Sequence, residues 1–157
     1  MKHLCLLLLC IFTYSMTNAK IWRVNNIAGI NADYSTAQAA HDAANVGDTI
    51  HLETSSTSYG FVTASKQLVW IGNGYFVDGT KASYMGGIQF GSGSANSVVT
   101  GIYFTSYVYV NSNNITVNRC YVPLLYFFTN SINQTHDFAM TQSFVANVSY
   151  TTSGSNA

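Results

Sequence analysis

Residues 115–122 read Ile115-Thr116-Val117-Asn118-Arg119-Cys120-Tyr121-Val122, two short apolar stretches on either side of a polar pair. Residues 138–145, Phe138-Ala139-Met140-Thr141-Gln142-Ser143-Phe144-Val145, repeat the phrase around Thr141 and Gln142. One offset of 23 residues lays Ile115 over Phe138, Val117 over Met140, Cys120 over Ser143 and Val122 over Val145. Residues 98–104 join them at an offset of 18, with Val99, Ile102 and Phe104 in the columns of Val117, Cys120 and Val122. Unequal offsets suit a solenoid, because one coil can carry a longer loop while its strands stay in register.

The polar pairs follow from the same pattern. If Ile115 and Val117 face inward, strict alternation would carry Arg119 into the core. The chain must therefore bend at Asn118-Arg119 for Cys120 and Val122 to return inside, so the pair marks a coil corner and Tyr121 faces outward.

The N-terminus has the physics of a secretory signal over residues 1–19. Lys2 and His3 give a basic start, residues 4–12 an apolar run, and Thr17-Asn18-Ala19 a small-residue exit. The mature chain is expected to begin near Lys20. The apolar run falls short of the roughly 20 residues of a membrane helix, and no later stretch approaches that length, so no span is expected in the mature chain. Cleavage removes Cys5 and Cys10 and leaves Cys120 as the single cysteine, which excludes an internal disulfide and reads as a small core filler.

Charged residues make up 8% of the chain and balance to zero, so the clustered basic footprint of a nucleic-acid surface is missing. A content of 48% hydrophobic residues, with 14% aromatic, is enough to collapse and unlike a disordered chain. Ser, Thr, Asn, Gly and Tyr must furnish the surface, as in extracellular all-β proteins.

Along the chain, residues 21–24 read as a first strand. An Ala-rich stretch from Tyr34 or Ser35 to Val46 reads as the one helix, capped by Ser35 or Asp33 and ended by Gly47, with Ala37, Ala40 and Ala44 on its inner face. Short β runs follow at 49–52, 68–71, 75–77, 88–90, 107–110 and 124–128, separated by Gly- and Asn-rich corners.

These residues resemble secreted right-handed parallel β-helix proteins of the pectin-lyase-like superfamily. Residues 35–52, with Gly47-Asp48-Thr49-Ile50 after the Ala-rich helix, look like that family's N-terminal cap and first strand. Leu68-Val69-Trp70-Ile71-Gly72-Asn73-Gly74 looks like its second coil, and residues 115–122 like its repeating coil. The resemblance implies an all-β solenoid with an N-terminal capping helix. The expected organisation is a signal peptide at 1–19, a strand and capping helix at 20–48, and coils at 49–157. Because the C-terminal tail shows no closing element, the chain is expected to be the front part of a longer protein.

The resemblance does not imply one reaction, since the superfamily holds lyases, hydrolases, adhesins and non-catalytic binders. Its lyases place acids on adjacent strands to hold calcium, with an arginine nearby; here Asp137 and Arg119 are the only such groups near the repeated strands, and the register puts Gln142 under Arg119. Neighbouring His136 and Asp137 would point to opposite faces, and His51 with Glu53 lacks a third ligand. No catalytic set, cofactor or metal is expected.

What the coils do offer is tyrosine. Tyr103 and Tyr121 are expected to stack as an exposed aromatic ladder, and with Asn118 and Arg119 they are the candidate ligand contacts, since sugar rings bind aromatic surfaces and polar neighbours. Tyrosines that merely shield the sheet are the competing reading. The expected function is a secreted, extracellular, cell-surface or periplasmic module that contacts polysaccharide or cell-surface glycan without catalysis. The alternative is the front part of a polysaccharide lyase or glycoside hydrolase whose catalytic residues lie beyond Ala157.

Overall fold

Strand β1 (Ile21–Val24) opens the fold and is followed by one short helix, α1 (Ala37–Ala43). The chain then passes back and forth between two sheets through β2 (Thr49–Leu52), β3 (Phe61–Ala64), β4 (Val69–Ile71), β5 (Tyr84–Phe90), β6 (Val98–Thr100), β7 (Tyr103–Val110), β8 (Ile115–Asn118), β9 (Tyr121–Thr129), β10 (Phe138–Thr141) and β11 (Phe144–Thr152). The structure is a computed structural model that describes residues 19–76, 81–129 and 137–152.

The first sheet has the order β1-β2-β4-β6-β8-β10 and the second β11-β9-β7-β5-β3. Every pairing among these strands is parallel. A fold dominated by parallel strands in two sheets, with each coil lending one strand to each, is compatible with a β-helix-like solenoid. The repeated phrases stack as their sequences require: Phe138 pairs with Ile115 and Met140 with Val117, while Val99 pairs with Val117 and Tyr103 with Tyr121.

Between the sheets lies the core, whose columns are the inward positions of the phrases. Val99, Ile102, Phe104, Ile115, Val117, Cys120 and Val122 are all buried, with Trp70, Phe90 and Met85 filling the wider levels. The corner falls where the polar pair stands. Arg119 and Gln142 adopt left-handed backbone, φ +52° and +47°, as Gly101 does at +71°. Successive corners bond to one another, the N–H of Gly72 to the Thr100 carbonyl, that of Gly101 to Asn118 and that of Arg119 to Thr141.

Helix α1 closes one end of this core, and it departs from the expected bounds. It spans seven residues rather than a run to Val46, with Thr36 as N-cap, its hydroxyl oxygen accepting from the Ala39 N–H at 3.3 Å. Asp33 does not cap the helix because its carboxylate accepts the Arg23 N–H instead. The helix stops before Gly47 because Lys66 Nζ donates to the carbonyls of His41, Asp42 and Ala44, and the chain turns extended at Ala44. Its buried residues are Ala37, Ala40 and His41, with the buried Ala44 as C-cap, and the alanines are small enough to lie flat on the sheet ends.

Two polar side chains of α1 close the edge of β3. Gln38 Oε1 accepts the Thr63 N–H at 2.8 Å, and His41 Nε2 accepts the Ser65 N–H at 3.0 Å. These caps occupy backbone donors that an open edge would leave bare. At the other end, among the described residues no element lies beyond β10 and β11, and the inward positions Val148 and Tyr150 are exposed.

Tyr75 and Phe76 do not form a strand. Gly74 turns with φ +103° and its N–H is taken by the Gly101 carbonyl, so the chain leaves the sheet there; Tyr75 and Phe76 pack ring against ring, and Val77 lies outside the described residues.

Candidate functional site

The two sheets present very different outer faces. Strands of the second sheet read Phe-Val-Thr-Ala, Tyr-Met-Gly-Gly-Ile-Gln-Phe, Tyr-Phe-Thr-Ser-Tyr-Val-Tyr-Val, Tyr-Val-Pro-Leu-Leu-Tyr-Phe-Phe-Thr and Phe-Val-Ala-Asn-Val-Ser-Tyr-Thr-Thr, without one charged residue. Because alternate residues face outward, the register collects Phe61, Tyr84, Tyr103, Tyr107, Tyr109, Tyr121, Tyr126 and Phe144 on this one face. The first sheet shows mostly Thr, Val and Ile there.

Beside the corners the register forms one column, Tyr84, Tyr103, Tyr121 and Phe144. Tyr103 and Tyr121 stack with centroids 4.4 Å apart and planes 16° from parallel, and Tyr121 and Phe144 stack at 5.1 Å and 6°. Tyr84 is tilted against Tyr103 at 5.1 Å, and Tyr75 reaches Tyr121 from its loop at 6.1 Å. Partial burial raises the Tyr103 phenol above its usual pKa, and the neighbouring Tyr121 adds to the shift.

The other two candidate contacts stand apart from this column. Asn118 ends a strand of the first sheet, and its side-chain oxygen accepts from the Thr141 hydroxyl at 3.1 Å. Arg119 occupies the corner itself and is exposed, its backbone N–H bonded to the Thr141 carbonyl. The structure thus brings Tyr103 and Tyr121 together and leaves Asn118 and Arg119 round the corner from them.

Farther along the same face, a one-residue bulge in β7 resets the register, so that Tyr107 pairs with Leu124 and Tyr109 with Tyr126. Beyond it lies an open groove of about 470 Å³ lined by Gln89, Tyr107, Tyr109 and Tyr126. Here the rings are splayed, Tyr126 standing 6.3 Å from Tyr107 at 69° and 6.4 Å from Tyr109 at 50°. Phe61 lies on Gly86 and Gly87 at the groove's flank and contacts Tyr107 at 5.4 Å. A Cβ on Gly87 would lie 2.6 Å from the Tyr107 carbonyl oxygen and one on Gly86 2.9 Å from that of Gly60, each also 3.1 Å from the Phe61 ring, which explains the paired glycines.

Sequence reasoning reached Tyr103 and Tyr121 but not the groove. Phe144 was findable, since it sits under Tyr121 at the offset of 23, whereas the grouping of Gln89 with Tyr107, Tyr109 and Tyr126 depends on the bulge, which no residue pattern announces.

Several titratable groups make contacts that hold the fold together. Glu53 accepts from Arg23 Nε at 2.5 Å and Asn25 Nδ2 at 2.9 Å, and the Arg23 hydrogen bond, more than any other partner, lowers its pKa. His41 Nε2 accepts a backbone N–H, so Nδ1 carries the proton and donates to Asp42 at 2.9 Å. Among the described residues no three His, Cys, Asp or Glu side chains approach closely enough to hold a metal. Asp137 is exposed, and His136 lies outside the described residues. No helix among the described residues is long and apolar enough to cross a membrane.

No protein-family model matches the chain, and no match is found among curated proteins or solved structures.

Proposed function

We propose that the chain is a secreted right-handed parallel β-helix module of the pectin-lyase-like kind that contacts extracellular carbohydrate through the outer face of its second sheet, without catalysis. The observation that carries this reading is the composition of that face: it is rich in aromatic rings and has no charged residue in any of its strands. Aromatic rings bind the apolar faces of sugars, and hydroxyls and amides between them meet sugar hydroxyls. The location is extracellular, at the cell surface or in the periplasm, and the N-terminal apolar run with its small-residue exit supports export.

The test is an array of plant, bacterial and host glycans probed with the purified protein, together with the mass of the N-terminus recovered from culture medium. Retention on polysaccharide and an N-terminus at Lys20 are expected. An array with no signal, or protein that stays in the cytoplasm at full length, sinks the reading.

A further inference from the structure

We infer that the sugar-binding subsite on this face is the groove lined by Gln89, Tyr107, Tyr109 and Tyr126, that it takes a neutral polysaccharide, and that the stacked column at Tyr103 and Tyr121 is not the platform. The inference rests on the carbohydrate reading above and separates two parts of one face.

In the column the ring faces are already spent on one another. Tyr121 has Tyr103 on one side at 4.4 Å and Phe144 on the other at 5.1 Å, both nearly parallel, so a ligand approaching from solvent meets ring edges. A pyranose packs its C–H groups against the face of a ring, and the column has little face left to give. In the groove Tyr126 stands 6.3 Å from Tyr107 at 69° and 6.4 Å from Tyr109 at 50°, and the flanking contacts of Tyr107 with Phe61 at 5.4 Å and of Tyr109 with Phe128 at 6.0 Å are tilted, so no groove ring is held in a parallel stack on both sides as Tyr121 is.

The polar groups point the same way. Within the described residues, no hydrogen bond engages the Gln89 amide or the hydroxyls of Tyr107, Tyr109 and Tyr126. An amide offers two donors and an acceptor, and each phenol a donor and an acceptor, which is the complement of a sugar's vicinal hydroxyls. Charge settles the class of sugar. None of the five strands carries a cation to meet a uronate or sulfate, so the matching partner is uncharged and its binding is insensitive to salt.

The probes are soluble mixed-linkage β-glucan, xyloglucan and galactomannan, with polygalacturonate as the anionic comparator, measured by affinity electrophoresis and calorimetry. Tyr126→Ala is expected to weaken binding of the neutral polymer about tenfold. Gln89→Ala, at an exposed position with no internal partner, is expected to weaken it about threefold with an unchanged melting temperature. Tyr121→Ala, compared at a temperature where it is folded, is expected to bind within about twofold of wild type. Binding of a neutral glycan that survives both groove substitutions, or that Tyr121→Ala abolishes while folded, overturns this inference and leaves the carbohydrate reading standing. Preference for polygalacturonate overturns the neutral class. Failure of the wild type to bind any glycan overturns both, as does a dimer in sedimentation that Tyr126→Ala dissociates, since the groove would then hold a second copy.

Discussion

The ring of Tyr121 lies 4.4 Å from that of Tyr103, almost parallel to it, on neighbouring strands of the charge-free sheet. Such a contact ties coil to coil outside the core, and Tyr121 makes a second one with Phe144. Aromatic pairs contribute about 0.5–1.5 kcal/mol each beyond their burial, so Tyr121→Ala should cost about 1–3 kcal/mol in chemical denaturation. Tyr121→Phe keeps the stack and should unfold close to wild type. Equal loss from both substitutions would mean that the hydroxyl, not the ring, holds the column.

The corner column makes predictions of very different size at two adjacent levels. Gly101 has φ +71°, and a Cβ there would collide with the Gly72 carbonyl oxygen and lie 3.0 Å from the Gly74 nitrogen. Gly101→Ala combines that clash with left-handed strain and should destabilise by on the order of 3 kcal/mol. Arg119 holds the same conformation, φ +52°, with an exposed side chain. Arg119→Gly relieves strain while loosening the unfolded chain, so its net effect should stay within about 1 kcal/mol. Urea titrations of the two variants check the contrast.

Most of this stacking was legible in residues 98–145. The offsets of 23 and 18 are the registers of β10 on β8 and of β6 on β8, because alternation with one buried face punishes a one-residue slip at every position. The corner was legible for the same reason, since only a bend keeps Arg119 out of the core. The earlier coil was harder to read, because Gly72 at its corner and Ser83, which carries the phrase on into Tyr84 and Met85, are far apart in the sequence. Strand β3 escaped notice because it is four residues long and outwardly apolar at Phe61, which covers Gly86 and Gly87. The length of α1 was set by Lys66, more than twenty residues away, whose ammonium takes the last helical carbonyls. Of the site, the stacked pair follows from the offset alone; the groove requires the bulge between Tyr103 and Tyr107 and so depends on tertiary register.

Glu53 should mark the acid limit of the fold. Its carboxylate joins Arg23 and Asn25 of the opening strand region to the end of β2, and Arg23 chiefly holds its pKa below the usual value. A carboxylate with a depressed folded pKa contributes stability that is present above its unfolded pKa, about 4.3, and is lost as the pH falls through the lower folded value. Glu53→Gln should therefore be less stable than wild type at pH 7 and converge with it below about pH 4. A gap of constant size from pH 7 to pH 3 would exclude the ion pair as its source.

Cys120 should be silent in the native state. The thiol is fully buried, the Ile102 N–H is directed at its sulfur at 3.4 Å, and burial pushes its pKa up to about 11. Reaction with a thiol reagent needs the exposed thiolate, so at pH 8 labelling should proceed no faster than the opening of the core. Labelling rates measured beside hydrogen exchange of β8 amides test this, and rapid modification of folded protein would contradict a closed core at that level.

Asp48 ties the first residue of the predicted mature chain to the fold. Its carboxylate is buried and accepts the Lys20 N–H at 2.8 Å, the Trp22 indole N–H at 2.9 Å and the Asn45 N–H at 2.8 Å. Burial raises its pKa, but the bonds from Lys20, Asn45 and Trp22 together outweigh that and hold it below the usual value. A chain that begins at Lys20 would present an α-ammonium to this carboxylate in place of a peptide N–H, converting a hydrogen bond into a charge-assisted one. Protein released from a fusion to start at Lys20 should therefore be about 1–2 kcal/mol more stable at pH 6 than protein that retains Ala19 and further residues. An amine stabilised in its charged form has a raised folded pKa, so this gain is whole below the unfolded α-amino value of about 7.7–8.0 and fades as the pH rises through the folded one. Asp48→Asn should erase the difference between the two forms. Denaturation curves of both forms at pH 6 and at pH 10 decide the matter: a gap that persists at high pH, or survives Asp48→Asn, would assign it to something other than the new charge.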